Sequence, residues 1–234
     1  MSTREVRRQA FAAAFPLSLP VMAGYVVLGF GFGLLLRARG YGVLWPTLMS
    51  VIIYAGSMQY VAIDLMASGA SLISTAIMTL LINFRHLFYG LSMLTRYGGL
   101  GRKKPYLIFA LTDETYSIAS YKDPPEGVDK GWFYLILSAL NQSYWIVGSV
   151  LGSLFGGLGV ISTQGVEFSM TALFAVIFTD QWLASRDHRP AVIGMAASVL
   201  SLVVFGRDNF IIPAMAIIAV ALLLLPRDDK EREG

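Results

Sequence analysis

The chain has 234 residues, 56% hydrophobic and 14% charged, with a formal net charge of +3. A soluble domain averages nearer one quarter charged, so the composition excludes an ordinary soluble fold. It reads as a single polytopic membrane domain over 1–234. The absence of cysteine excludes a disulfide framework and a thiolate metal site. The basic residues sit in short segments between apolar runs, a pattern of membrane orientation rather than of nucleic-acid binding.

In chain order, a polar, basic start (1–10) precedes about seven apolar runs. These are 17–36, 44–63, 70–94, 132–160, 168–184, 191–205 and 210–225. A helical span needs roughly 20 apolar residues. Pro16, Pro20, Pro46, Pro190 and Pro213 fall near span starts, where proline is tolerated. The last two runs are separated by Gly206-Arg207-Asp208-Asn209, which reads as a tight hairpin. The stretch 105–121 carries Asp113 and Glu114 at its centre, too polar for a lipid-exposed span, and reads as interfacial, broken or re-entrant. The expected fold is therefore all-α.

Glycine-rich spans followed by small, polar cores suggest an inverted repeat of three helices, 11–94 against 131–206, with an extra helix at 210–225. Lysines and arginines set orientation. If 105–121 does not cross, Arg4, Arg7, Arg8 and Arg207 oppose the remaining loop cations, and the N-terminus lies outside. If it crosses, both termini lie inside. Either arrangement makes the C-terminus cytoplasmic.

Three clusters carry chemistry. Tyr54-Ala55-Gly56-Ser57-Met58-Gln59 sets a hydroxyl and an amide in the middle of an apolar run. Either these groups join helices, at ~0.6 kcal/mol per hydrogen bond, or they line a site. Asn83, Arg85, His86 and Tyr89 lie within the run 70–94. A charge at membrane depth costs at least ~2.5 kcal/mol, so Arg85 must face protein or water, and such groups mark substrate or ion pathways. Arg85 offers a planar fork to a carboxylate and His86 a proton relay. Alternatively both snorkel to an interface. Thr112-Asp113-Glu114-Thr115 either pairs with Arg85 or accepts a proton, or else forms a capped turn with Thr112 or Asp113 at the N-cap. Glu167 is a further carboxylate candidate. No nucleotide-binding loop or hydrolase signature is present.

The strings Tyr54–Gln59, Asn83-Phe-Arg-His-Leu-Phe-Tyr-Gly90 and Leu111-Thr-Asp-Glu114 resemble the AzlC family, the large subunits of bacterial branched-chain amino-acid exporters. Val166–Phe174 is similar to a further family segment, with Glu167 where aspartate is usual. The resemblance implies a non-enzymatic, cofactor-free inner-membrane transporter. It implies export of valine, isoleucine, leucine and, in some members, methionine. It further implies a small hydrophobic AzlD-type partner and coupling to protons. On this reading Ser57, Gln59, Asn83, Arg85 and Tyr89 bind substrate. His86, Asp113, Glu114 and Glu167 are proton-coupling or ion-pair residues, and Met58, Phe84 and Phe88 meet the apolar side chain. The alternatives are a permease for another amino acid or small organic acid, an intramembrane enzyme using His86 with Asp113 or Glu114, and a structural subunit.

Overall fold

The computed structural model describes residues 2–158, positions 168, 175, 178, 179, 182 and 183, and residues 187–224. The described residues are helical, without strands. The chain divides into two compact units, Met1–Thr171 and Ala172–Gly234.

The first unit is built on two long helices, α1 (Thr3–Ala38) and α7 (Lys130–Gly157). Helix α1 opens with a Ser2 cap that accepts from the Glu5 amide at 3.3 Å, and α7 with an Asp129 cap that accepts from the Trp132 amide at 2.7 Å. The two lie side by side and run parallel. Arg7 sits over the Trp132 ring at 4.2 Å, Ser18 meets Tyr144 at 3.0 Å, and Arg37 meets Gly156 and Gly157. Between these points Gly29 and Gly33 face Gly148 and Gly152. A Cβ on Gly29 would lie 2.8 Å from the Trp145 carbonyl, and one on Gly148 2.6 Å from the Val26 carbonyl. Gly33 and Gly152 press on the backbones of Ser149 and Phe30. Such four-residue spacing lets membrane helices pack backbone to backbone, where dispersion rather than water exclusion holds them together.

Two broken helices enter this frame from opposite ends. Helix α2 (Leu44–Ile52) starts where α1 stops, and α3 (Gly56–Ala67) returns to the same end, where Asp64 accepts from Arg39 at 3.1 Å. The tip between them reaches mid-molecule, with Tyr54 packed in one cluster with Tyr25 and Trp145. Helix α4 (Leu72–Ser92), capped by Ser71, then runs antiparallel to α1. It ends beside a core of Ala10, Ala14, Met93, Tyr97, Phe133 and Tyr134. From that end α5 (Lys104–Phe109) enters and α6 (Asp113–Tyr121) returns, Tyr134 donating to the Lys122 carbonyl at 3.2 Å.

Each span is thus followed by a hairpin that dips in from the end where the span stops. The pair α1 with α2–α3 and the pair α4 with α5–α6 have opposite directions, which is an inverted repeat. Arg39–Asp64 and Arg96–Asp123 (3.0 Å) occupy matching places in it, each tying the end of a span to the exit of its hairpin.

Two expectations are revised, on the run 44–63 and on the prolines of α1. The run 44–63 is a re-entrant hairpin, because the chain breaks at 53–55, where Tyr54 adopts a left-handed φ of 45°. The expected repeat of 11–94 against 131–206 runs into residues outside those described; the helices that open its two halves, α1 and α7, run parallel. Pro16 and Pro20 lie inside α1, whose first turns are held against α7 by Ala10 and Ala14. The break within 105–121 is as expected, and Thr112 is the N-cap of α6.

Among the described residues, four helices are long and apolar enough to cross a membrane: Thr3–Ala38, Leu72–Ser92, Lys130–Gly157 and Arg189–Gly206. With α2–α3 re-entrant, the cations of the first unit gather. Arg4, Arg7, Arg8, Arg96, Arg102, Lys103, Lys104, Lys122 and Lys130 lie at the end where α1 begins, and Arg37 and Arg39 at the other.

In the second unit, α8 (Arg189–Asn209) is interrupted at Gly206, φ 75°, and α9 (Ile211–Leu224) packs against it. The expected hairpin at 206–209 coincides with this break. Most of the expected span 168–184 lies outside the described residues.

Candidate functional site

The hairpin tips bring the N-termini of α3 and α6 to the middle of the first unit. A helix interrupted inside a membrane exposes unpaired backbone groups at the break, and these must find partners in protein. For α2 the partner is Gln142 of α7, whose Nε2 donates to the carbonyls of Val51 (3.2 Å) and Ser50 (3.5 Å). The Gln142 Oε1 accepts from the Tyr106 hydroxyl of α5 at 2.8 Å, so one side chain ties both hairpins to α7. For α6, the Thr112 hydroxyl accepts from the Thr115 amide at 3.3 Å.

Arg85 of α4 lies between the two N-termini. Its Nη2 is 2.9 Å from Asp113 Oδ2 and donates to Ser57 Oγ at 3.0 Å. The other oxygen of Asp113 accepts from the Tyr89 hydroxyl at 2.7 Å. Glu114, the next residue, accepts from the Tyr25 hydroxyl, which also meets Thr112 at 2.6 Å. Three elements, α3, α4 and α6, therefore converge on a single ion pair. The Arg85 and Asp113 side chains are 33% and 26% exposed, so the pair is only partly enclosed. The guanidinium is not saturated, since its buried Nε has no partner. One guanidinium and two carboxylates beside two helix N-termini, each worth roughly half a positive charge, give a centre with both signs and little net charge. That arrangement suits a zwitterion.

The expected site residues divide. Ser57, Arg85, Tyr89, Asp113 and Glu114 come together. His86 lies beside them, its ring edge-on to Tyr89 with centroids 5.7 Å apart and its Nδ1 3.2 Å from the Asn83 carbonyl. The Asn83 Oδ1 is buried without a partner. Gln59 is elsewhere: fully buried, it donates to Ser50 (3.3 Å) and accepts from the Trp145 indole (3.0 Å), which spends its amide on holding α2, α3 and α7. Phe84 and Phe88 pair with each other on an exposed face of α4, and Met58 is buried. Glu167 lies outside the described residues.

Sequence reasoning missed Tyr25, and the structure adds Gln142 as a tie between the hairpins. Tyr25 sits in a glycine-rich apolar run and carries no local signal. Gln142, with Asn141, is an uncharged amide in a long span, which was itself a sign that something nearby lacked partners. Asn141 donates to Thr115 at 3.0 Å and so anchors α6 to α7.

Comparison with known proteins follows the same residues. Positions 20–158, which include both hairpins, match the family model described as "AzlC protein". The branched-chain amino acid transport protein AzlC of Bacillus subtilis is 41% identical over 233 residues, covering 100% of this chain and 92% of that protein. An uncharacterized membrane protein of Haemophilus influenzae is 40% identical over 223 residues, covering 95% and 91%. The inner membrane protein YgaZ of Escherichia coli is 32% identical over 206 residues, covering 86% and 82%. No solved structure matches.

Proposed function

The chain belongs to the AzlC family, and from that premise we propose that it is a secondary transporter that exports branched-chain amino acids. The observation that carries the reading is the Arg85–Asp113 pair held between two re-entrant helix tips. Substrate sites of secondary transporters lie where interrupted helices meet at mid-membrane. An amino-acid zwitterion can exchange into that pair, its carboxylate taking the Arg85 fork and its ammonium taking Asp113 and Glu114. The name of the Bacillus relative supports valine, isoleucine and leucine as substrates.

Export as the direction, proton coupling and a small AzlD-type subunit rest on the family resemblance. Placement in the bacterial inner membrane rests on the same ground. The gathering of cations at the start of α1 supports a cytoplasmic N-terminus for the first unit, and the Lys/Arg pattern of the last runs supports a cytoplasmic C-terminus. A periplasm-active reporter fused ahead of Ser2 is expected to be silent, and activity there would reverse the orientation.

Counterflow of labelled valine in proteoliposomes, with and without the small subunit, tests the transport reading. Arg85→Lys keeps the charge but loses the fork, and is expected to reduce counterflow by about tenfold or more, a barrier change of at least ~1.4 kcal/mol. Arg85→Gln is expected to do the same. The double variant Arg85→Gln with Asp113→Asn removes the pair in balance. It should recover membrane abundance without recovering transport. Recovery of transport in the double would reassign Arg85 to a purely structural ion pair.

A further inference from the structure

At the end of the first unit where α1 and α7 begin, a cavity opens between the last turn of α4, the outer half of α6 and the start of α7. Its wall includes Ser92, Arg96, Tyr116, Ser120, Asp123 and Lys130. We infer that this cavity is the loading vestibule of the Arg85–Asp113 site, and that the stacked rings of Tyr89 and Tyr116 are the gate between them. The inference rests on the transport reading above for the identity of the solute, and on geometry alone for the route.

The route is a short series of contacts. Tyr116 belongs to the cavity wall and also stacks on Tyr89, with ring centroids 4.4 Å apart and planes 12° from parallel. The hydroxyl of Tyr89 is bonded to Asp113, which is paired with Arg85. On the cavity side, these two rings stand between the vestibule and the ion pair. The Tyr116 hydroxyl meets Ser92 Oγ at 3.2 Å, and its ring, partly buried, also packs on the core that includes Met93 and Ala119. Turning the ring away breaks one hydrogen bond, one ring stack and part of that packing, all of them side-chain contacts.

The chemistry of the wall selects the kind of solute. Arg96 and Lys130 are cationic and Asp123 anionic, with Arg96 and Asp123 paired at 3.0 Å. Serine hydroxyls at 92 and 120 fill the space between. A lipid tail gains nothing there, and a simple anion or cation meets repulsion as well as attraction. A hydrated zwitterion finds partners for both ends. The cavity also opens at the end rich in lysine and arginine, the face from which an exporter would take its cargo.

The chain has no cysteine, so a single introduced thiol is the only reactive one. The probe is a charged, membrane-impermeant methanethiosulfonate added to vesicles on the side where α1 begins. Ser120→Cys, in the vestibule, is expected to react rapidly. Ser57→Cys, beside Arg85 and behind the ring pair, is expected to react slowly. Adding Tyr116→Ala should accelerate Ser57→Cys by about tenfold, by removal of the stack that opposes opening, and leave Ser120→Cys unchanged. Tyr116→Phe keeps the ring and should stay slow. Tyr116→Leu should be intermediate, and it decides the matter if the alanine variant fails to fold. Rapid reaction of Ser57→Cys with Tyr116 intact, or equal rates in the leucine, alanine and tyrosine backgrounds, would overturn the gate. Valine is expected to slow Ser57→Cys in the opened variant. If the rates follow the gate but valine has no effect, the vestibule stands and the substrate assignment falls.

Discussion

At the tip of α2–α3, Gln59 gives both ends of its amide to neutral partners, Ser50 and Trp145, and Ser50 is bonded in turn to Ser149 of α7 at 3.0 Å. Every member of that network is buried. At the tip of α5–α6, Asp113 and Glu114 occupy the first turn, and their partners are the long side chains of Arg85, Tyr89 and Tyr25. The hairpins share a plan and differ in what holds them. A satisfied neutral network in a low-dielectric interior is rigid, and it has nothing to exchange with a charged solute. An ion pair a quarter to a third exposed can exchange its partners. On the proposed transport reading, the first hairpin is mainly the wall of the site, Ser57 apart, and the second its working half. Between the two halves of the repeat, the asymmetry says which one carries the charge.

Removing the wall's central side chain should have the largest effect. Trp145 fills the space between Tyr25, Phe32 and the Gly56 backbone, and its indole is the partner of Gln59. Trp145→Ala is expected to cost about 3–5 kcal/mol, seen as loss of folded protein in detergent before any transport can be measured. A stable but inactive Trp145→Ala would move the first hairpin from wall to working half. Gln59→Leu, which orphans the indole and takes one of the two hydrogen bonds of the Ser50 hydroxyl without emptying the space, should be milder.

A smaller effect is expected at the charged tip. Tyr25→Phe removes the hydroxyl donor to Glu114 and leaves the ring that packs on Trp145. Loss of a hydrogen bond to a carboxyl group is worth about 1–3 kcal/mol. The fold should survive while valine counterflow slows. Normal counterflow with lowered thermal stability would mean that Glu114 belongs to the scaffold too.

The contrast also explains which parts of the molecule were readable in advance. Asp113 and Glu114 announce themselves, because two carboxylates in an apolar stretch rule out a plain span, and the break at 110–112 follows from that. Arg85 announces itself for the same reason. The first hairpin hides. Its break residues Ile53, Tyr54 and Ala55 are apolar, the run 44–63 has the length of a span, and the left-handed backbone of Tyr54 is imposed by tertiary packing rather than by a glycine. Once that hairpin is counted as a crossing, every later helix is inverted. This is why the seven-span arrangement and the cation distribution of the first unit suggest opposite sides for the N-terminus. The pairing of Arg85 with Asp113 joins separate elements, and spacing along one helix says nothing about it.

The smallest expected effect lies at the rims, where the hairpins are most alike. Arg39–Asp64 and Arg96–Asp123 tie matching points of the repeat, at 3.1 and 3.0 Å. The first pair is well exposed, with side chains 48% and 77% accessible. Exposed pairs contribute about 0–1 kcal/mol and are screened by salt. Arg39→Ala should leave stability within that range and valine counterflow close to normal. Arg96 is more enclosed, at 24%, and its Nε also donates to the Tyr134 hydroxyl at 2.9 Å. Arg96→Ala thus removes a tie within the vestibule wall as well as an ion pair, and should slow loading more than Arg39→Ala does. The test is counterflow for both variants at low and high salt. A larger loss in Arg96→Ala that persists in high salt would extend the difference between the hairpins from their tips to their rims. Equal, salt-sensitive losses would confine it to the tips.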